Sequence, residues 1–82
     1  MKICVLGLGY IGLPTALLLA KAENIVIGVD TNKKIVDKLN NGEIPFEEPA
    51  LFDLFQKAKN NFTANSSLES SDVYIIAVPT PL

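Results

Sequence analysis

The sequence has 82 residues, 49% apolar and 20% charged, with a net charge of −2: one small globular domain, too apolar for a disordered chain. No basic run is present to release counterions from phosphates, which argues against a nucleic-acid or anionic-membrane surface. There is no histidine and no Cys or carboxylate cluster with metal-ligand spacing, and the single Cys4 can form no internal disulfide, so a reducing, cytoplasmic compartment is expected.

Lys2 to Leu6 reads as a strand apolar on both faces, the pattern of a strand buried in a parallel sheet. Cys4 in its middle reads as a small buried hydrophobe, because a reactive thiol needs exposure and a positive neighbourhood. Gly7, Gly9 and Gly12 follow in the pattern G-x-G-x-x-G. From Tyr10 or Ile11 to Ala22 the residues are good helix formers. Pro14 is tolerated there only in the first turn, where few backbone N–H groups have partners to lose. The same opening also has the outline of a targeting segment, with Lys2 before an uncharged run and Ala20-Lys21-Ala22 resembling a cleavage site. The β-branched start, the three glycines and Pro14 oppose that reading, since a proline inside an apolar helix costs about 3 kcal/mol.

Asn24 to Asp30 is a second short strand. Asn32 to Asn40 reads as a helix capped by Thr31 or Asn32, with Ile35, Val36 and Leu39 on one face, stopped by Asn41-Gly42. The stretch "EIPFEEP" is a loop. Pro49 is placed as a first helical residue, followed by Leu51, Leu54, Phe55 and Ala58 at helical spacing. Glu47 and Glu48 fit a helix amino terminus, favoured by its dipole, better than a catalytic carboxylate pair. "FTA" at Phe62 is a third strand, Ser66 and Glu69 have capping-box spacing for a short helical turn, and "DVYIIAVP" is a fourth strand ended by Pro79. Strands alternating with helices call for parallel pairing with right-handed crossovers, an α/β doubly wound layer with strand order 3-2-1-4, the first part of a Rossmann sheet.

In that setting the glycines acquire roles. Gly7 permits the tight turn, Gly9 lets backbone approach a pyrophosphate, and Gly12 lets the helix lie close on the strand. The helix start offers unpaired N–H groups and a partial positive charge to phosphates. Asp30 lies eighteen residues after Gly12, at the carboxyl end of the second strand, where a carboxylate accepts hydrogen bonds from the adenosine ribose. Taken alone, Asp30 fits a strand-ending turn residue equally well. A 2′-phosphate would meet like charge there, so NAD is favoured over NADP, with Lys33 and Lys34 either offsetting that repulsion or forming a solvated helix face. Thr80, in "VPTP", offers a hydroxyl at the carboxyl end of strand 4, although a rigid loop explains that stretch as well. Tyr10 either covers the cofactor or packs.

Together the stretches "GLGYIGLPTA", "VIGVD", "NNGEIPFEEPAL" and "IIAVPTP" resemble the amino-terminal, NAD-binding part of the nucleotide-sugar dehydrogenases, the UDP-glucose, GDP-mannose and UDP-N-acetylmannosamine dehydrogenase family. "GLGYIGLPTA" with "AVPTP" is most similar to the UDP-N-acetylmannosamine branch. The resemblance implies that Tyr10, Ile11, Asp30 and Thr80 match cofactor-contacting positions. It also implies a basic contact early in the second helix, a position that falls on Ile35 with Lys34 one step earlier. The Glu-Pro-x-Leu element is matched by Glu48, Pro49 and Leu51, with Ala50 where glycine is common. Implied for the whole protein are two NAD-linked oxidations of a UDP-sugar C6 alcohol to the carboxylate, through an aldehyde and a cysteine-bound thioester, in a homo-oligomer. The nucleophilic cysteine, the lysine and the sugar-binding and dimer-forming segments of that family have no match within these residues, and Cys4 is not that cysteine. The 82 residues are therefore expected to be a fragment of the NAD-binding domain, inactive alone. The alternatives are another dehydrogenase of the 3-hydroxyacid type, opposed by "VPTP" and Glu-Pro-x-Leu, and a non-catalytic nucleotide-sensing regulatory domain.

Overall fold

The computed structural model describes residues 1–77. Four strands and three helices follow in the order β1 (Lys2–Leu6), α1 (Gly12–Lys21), β2 (Ile25–Val29), α2 (Lys33–Asn40), α3 (Pro49–Ala58), a 3-10 turn (Lys59–Asn61), β3 (Phe62–Asn65) and β4 (Val73–Ile76). The sheet is parallel throughout with order β3-β2-β1-β4, as expected from the alternation of elements. Val5 pairs with Gly28 on one side and Ile75 on the other, so β1 is central and buried.

Strand periodicity sorts the side chains into two layers. Ile3, Val5, Val26, Phe62 and Ala64 meet Leu13, Leu17, Leu39, Leu51 and Phe55 of the helices in the main core. Cys4, Ile27 and Val29 form a second buried cluster with Leu6 beside it, and Cys4 is fully buried as its neighbours foretold.

Helix ends follow local chemistry. α1 begins at Gly12, one or two residues later than expected, and Pro14 is its third residue; the N–H groups of Leu13 and Thr15 on either side of it bond the Gly9 and Ile11 carbonyls, so its missing N–H costs at most the one bond to the Tyr10 carbonyl. Asn32 caps α2, its side chain accepting the Lys34 N–H at 3.0 Å, and Pro49 opens α3 as its first residue. Asn61 donates its side-chain amide to the Ala20 carbonyl at 3.1 Å, tying the turn before β3 to the end of α1.

One element departs from expectation. The capping-box spacing of Ser66 and Glu69 produces no helical turn. One distant and one nearby partner hold that segment instead: the Glu69 carboxylate pairs with Lys2 Nζ at 3.0 Å, and its carbonyl accepts the Tyr74 hydroxyl at 3.2 Å. The Tyr74 oxygen in turn accepts the Ser71 N–H at 3.0 Å, and the Asp72 N–H donates to the Lys2 carbonyl at 2.8 Å. A chain that must return from the carboxyl end of β3 to the amino end of β4 in so few residues has no length for a helix, which rises only about 1.5 Å per residue against about 3.3 Å extended. The fourth strand is observed from Val73 to Ile76; the expected continuation through Val78 and Pro79 lies outside the described residues.

Candidate dinucleotide site

The chain leaves β1 through Gly7, whose φ of 98° lies in the left-handed region that side chains disfavour. Its N–H donates to the Val29 carbonyl at 2.7 Å, locking the turn to the end of β2. The next residue is the pivot. The Leu8 side chain is fully buried in the main core, and its N–H donates to Asp30 Oδ2 at 2.9 Å. Asp30 Oδ1 accepts the Asn32 N–H at 2.8 Å, and the Asp30 N–H donates to the Asn65 carbonyl at 3.2 Å. Both readings of Asp30 thus meet in one geometry: it shapes the turn after β2, and it stands beside the glycine turn. An ionised carboxylate has about four acceptor sites, so two protein N–H groups leave room for ribose hydroxyls.

Gly12 is required by packing. A Cβ built on it would overlap the Gly7 carbonyl oxygen and lie 3.2 Å from the Ala77 Cβ, so the start of α1 sits directly against the turn and the end of β4. Gly9 is different. Among the described residues a Cβ there would meet nothing within 4 Å, and its φ lies outside the left-handed region. Neither the backbone nor the core needs a glycine at that position. Open space above it is what a ligand approaching the backbone requires.

Donors stand ready around that space. Among the described residues no acceptor takes the backbone N–H of Gly9, Tyr10, Ile11 or Gly12, the four donors that open α1. The α1 macrodipole adds a partial positive charge at the same place, and no acidic residue lies in the first turn to cancel it. Beside them runs a cleft of about 570 Å³, with Gly9, Ile11 and Thr15 on one wall and Ile75, Ile76 and Ala77 on the other. Thr15 commits its hydroxyl hydrogen to the Ile11 carbonyl at 2.9 Å, so the wall it forms is largely apolar. A somewhat larger groove of about 650 Å³ follows the loop before α3, but Glu43, Glu47 and Glu48 line it, and their charge suits no phosphate.

The structure brings Gly7, Gly9, Tyr10, Ile11, Gly12 and Asp30 together. Tyr10 stacks on Phe46, with ring centroids 4.4 Å apart and planes inclined by 20°, while remaining 81% exposed. Lys34 is exposed in the first turn of α2, and its backbone N–H belongs to the cap. Thr80, with Pro79 and Pro81, lies outside the described residues. Sequence reasoning missed two residues. Leu8 carried one faint signal, a large apolar side chain between two glycines. Phe46 sits in a segment read only as loop, and nothing in its spacing points to Tyr10.

A parallel sheet with this order, a glycine turn opening a helix and a carboxylate at the end of the second strand define a dinucleotide-binding α/β domain. The open Gly9, the four free amides and the carboxylate fit a diphosphate joined to an adenosine ribose. Over residues 1–82 the chain matches the UDP-glucose/GDP-mannose dehydrogenase family, NAD binding domain. It is 52% identical over 82 residues to the UDP-N-acetyl-D-mannosamine dehydrogenase of Methanococcus maripaludis, covering 98% of this chain and 19% of that protein. It is 50% identical to the enzyme of the same name from Campylobacter jejuni, with 98% and 20% covered. The solved UDP-N-acetyl-mannosamine dehydrogenase of Staphylococcus aureus superposes with a TM-score of 0.94 at 47% identity, over 99% of this chain and 20% of that one. The chain belongs to the UDP-glucose/GDP-mannose dehydrogenase family and is NAD-binding. It spans about a fifth of the length of the curated relatives it matches.

Proposed function

We propose that this chain is the adenosine-side portion of the NAD-binding domain in a UDP-sugar dehydrogenase, with UDP-N-acetylmannosamine as the substrate. That enzyme oxidises the sugar C6 alcohol to the uronic acid in two NAD-linked steps. The substrate assignment rests on the names of the relatives, which are UDP-N-acetyl-D-mannosamine dehydrogenases at about half identity. A homo-oligomer in the cytoplasm is part of the same reading.

NAD, when bound, supplies a two-electron acceptor for alcohol oxidation. The residues of this chain hold it. Gly9, Tyr10, Ile11 and Gly12 direct backbone N–H groups at the diphosphate, and Gly9 leaves the space for it. Asp30 receives the ribose hydroxyls and repels a 2′-phosphate. Lys34 stands near enough in sequence to contribute a cation on the adenosine side, and Thr80 matches a cofactor-contacting position in the family pattern. Ile11, Ile75 and Ile76 exclude water from the cleft. No nucleophile or proton-transfer group is assigned to these residues.

The observation that carries the reading is Gly9, a glycine the fold does not need set among unpartnered amides. Calorimetric titration of the chain with NAD and with NADP tests it: saturable NAD binding with weaker NADP binding is expected, and equal or absent binding of both overturns it. For the substrate, the full-length protein incubated with UDP-N-acetylmannosamine and NAD should release two NADH per sugar oxidised. Turnover of UDP-glucose alone would reassign the sugar and leave the cofactor site intact.

A further inference from the structure

Residues 9–12 present four backbone donors, and Tyr10 lies among them between the core-anchored Leu8 and the closely packed Gly12. Gly9 and Ile11 each give a carbonyl to the first turn of α1, accepting the N–H groups of Leu13 at 3.1 Å and Thr15 at 3.3 Å. Tyr10 is held by its ring alone, since among the described residues its hydroxyl has no hydrogen-bond partner. The ring it stacks on is well anchored. Phe46 is half-buried against the main core, and its carbonyl accepts the Glu48 N–H at 3.0 Å immediately before Pro49 opens α3. Beneath the stack, Pro14 of α1 and Leu51 and Leu54 of α3 line a small cavity of about 330 Å³.

We propose that Phe46 is a positioning residue for the dinucleotide: its ring holds Tyr10, and through Tyr10 the amides of residues 9–12, in the arrangement that receives the diphosphate. The inference rests on the NAD reading of the glycine turn. Phe46 acts from the far side of Tyr10, carried by the loop before α3. A turn with its donors already aligned binds at full intrinsic affinity, whereas one that samples several arrangements binds in proportion to the fraction aligned. A stacked aromatic pair is strong enough to change that fraction by about two- to tenfold.

The test compares NAD affinity by calorimetry in the wild-type chain, Phe46→Leu, Phe46→Trp, Tyr10→Leu and the double variant Tyr10→Leu/Phe46→Leu. Phe46→Met replaces Phe46→Leu in the set if the leucine variant does not fold. Phe46→Leu should weaken NAD binding by about two- to tenfold, and Phe46→Trp, which keeps a stacking face, should stay within about twofold of wild type. In the Tyr10→Leu background the change at Phe46 should have no further effect, a coupling that a purely structural role would not produce. Wild-type affinity in Phe46→Leu, or an equal loss with and without Tyr10, overturns the inference while the NAD reading stands. Absence of NAD binding in the wild-type chain overturns both.

Discussion

Gly9 and Gly12 are identical residues three positions apart, and the structure asks opposite things of them. Gly12→Ala would drive a methyl group into the Gly7 carbonyl, a backbone atom with no rotamer to yield, and toward the Ala77 side chain. Overpacking of this kind costs about 1–3 kcal/mol or more, against a total of about 4–12 kcal/mol for a domain of this size. Gly9→Ala meets nothing among the described residues, and its backbone conformation is open to alanine. Such a replacement restricts the unfolded chain and stabilises the fold by about 0.4–1 kcal/mol. In a domain this small that is a rise in melting temperature of about 2–8 °C. The same methyl group, however, occupies the space through which a diphosphate approaches the amides, and NAD affinity should fall at least about tenfold, the equivalent of about 1.4 kcal/mol. Thermal melts followed by circular dichroism, paired with calorimetric NAD titration, give both numbers for each variant. Stability and binding should move in opposite directions for Gly9→Ala and fall together for Gly12→Ala. Gly9→Ala that binds NAD as well as wild type would refute the assignment of that open space to a ligand.

Four further outcomes follow from the same geometry. Asp30→Ala removes the acceptor of the Leu8 and Asn32 N–H groups, so it should lower stability by about 1–3 kcal/mol as well as abolish the preference for NAD over NADP, read by melting and by paired titrations. Asp30→Asn keeps one acceptor oxygen and should recover part of the stability but none of the cofactor preference; full preference in either variant counts against the ribose contact. At the sheet edge, β4 carries Tyr74 and the 72% exposed Ile76 beside backbone groups with no strand partner among the described residues, so the 82-residue chain should self-associate with rising concentration in light scattering. Ile76→Lys should suppress that association without lowering the melting temperature, and a monodisperse wild-type chain at high concentration would contradict the edge argument.

Sheet order, helix starts and the glycine turn were legible in the sequence because each rests on a local constraint. Pro14 and Pro49 each allow a helix to begin only nearby, Asn32 caps by its own side chain, and β1 is apolar on both faces because it is central. What was not legible depends on distant partners. Ser66 and Glu69 have the right spacing for a capping box, but Lys2, remote in sequence, and Tyr74, five residues on, take Glu69 and hold the segment out of a helix. The Tyr10–Phe46 stack joins a turn to a loop thirty-six residues away, with no periodicity to announce it. For Asp30, spacing left two roles in competition because one-dimensional pattern cannot show that a carboxylate has oxygens enough for both.

That double duty explains how so short a turn becomes a stable receptor for an anion. The free amides of residues 9–12 would be mobile in an ordinary loop, and ordering them at the moment of binding would offset much of the gain. Here Leu8 inserts its side chain in the core and gives its N–H to Asp30, while Gly7 gives its own to Val29. The turn is therefore positioned by the same burial energy that holds the sheet together, and the ribose acceptor and the diphosphate donors are one hydrogen bond apart. A ligand that engages both ends meets groups whose separation was set during folding. It follows that variants loosening the core under Leu8 should weaken NAD binding without touching it.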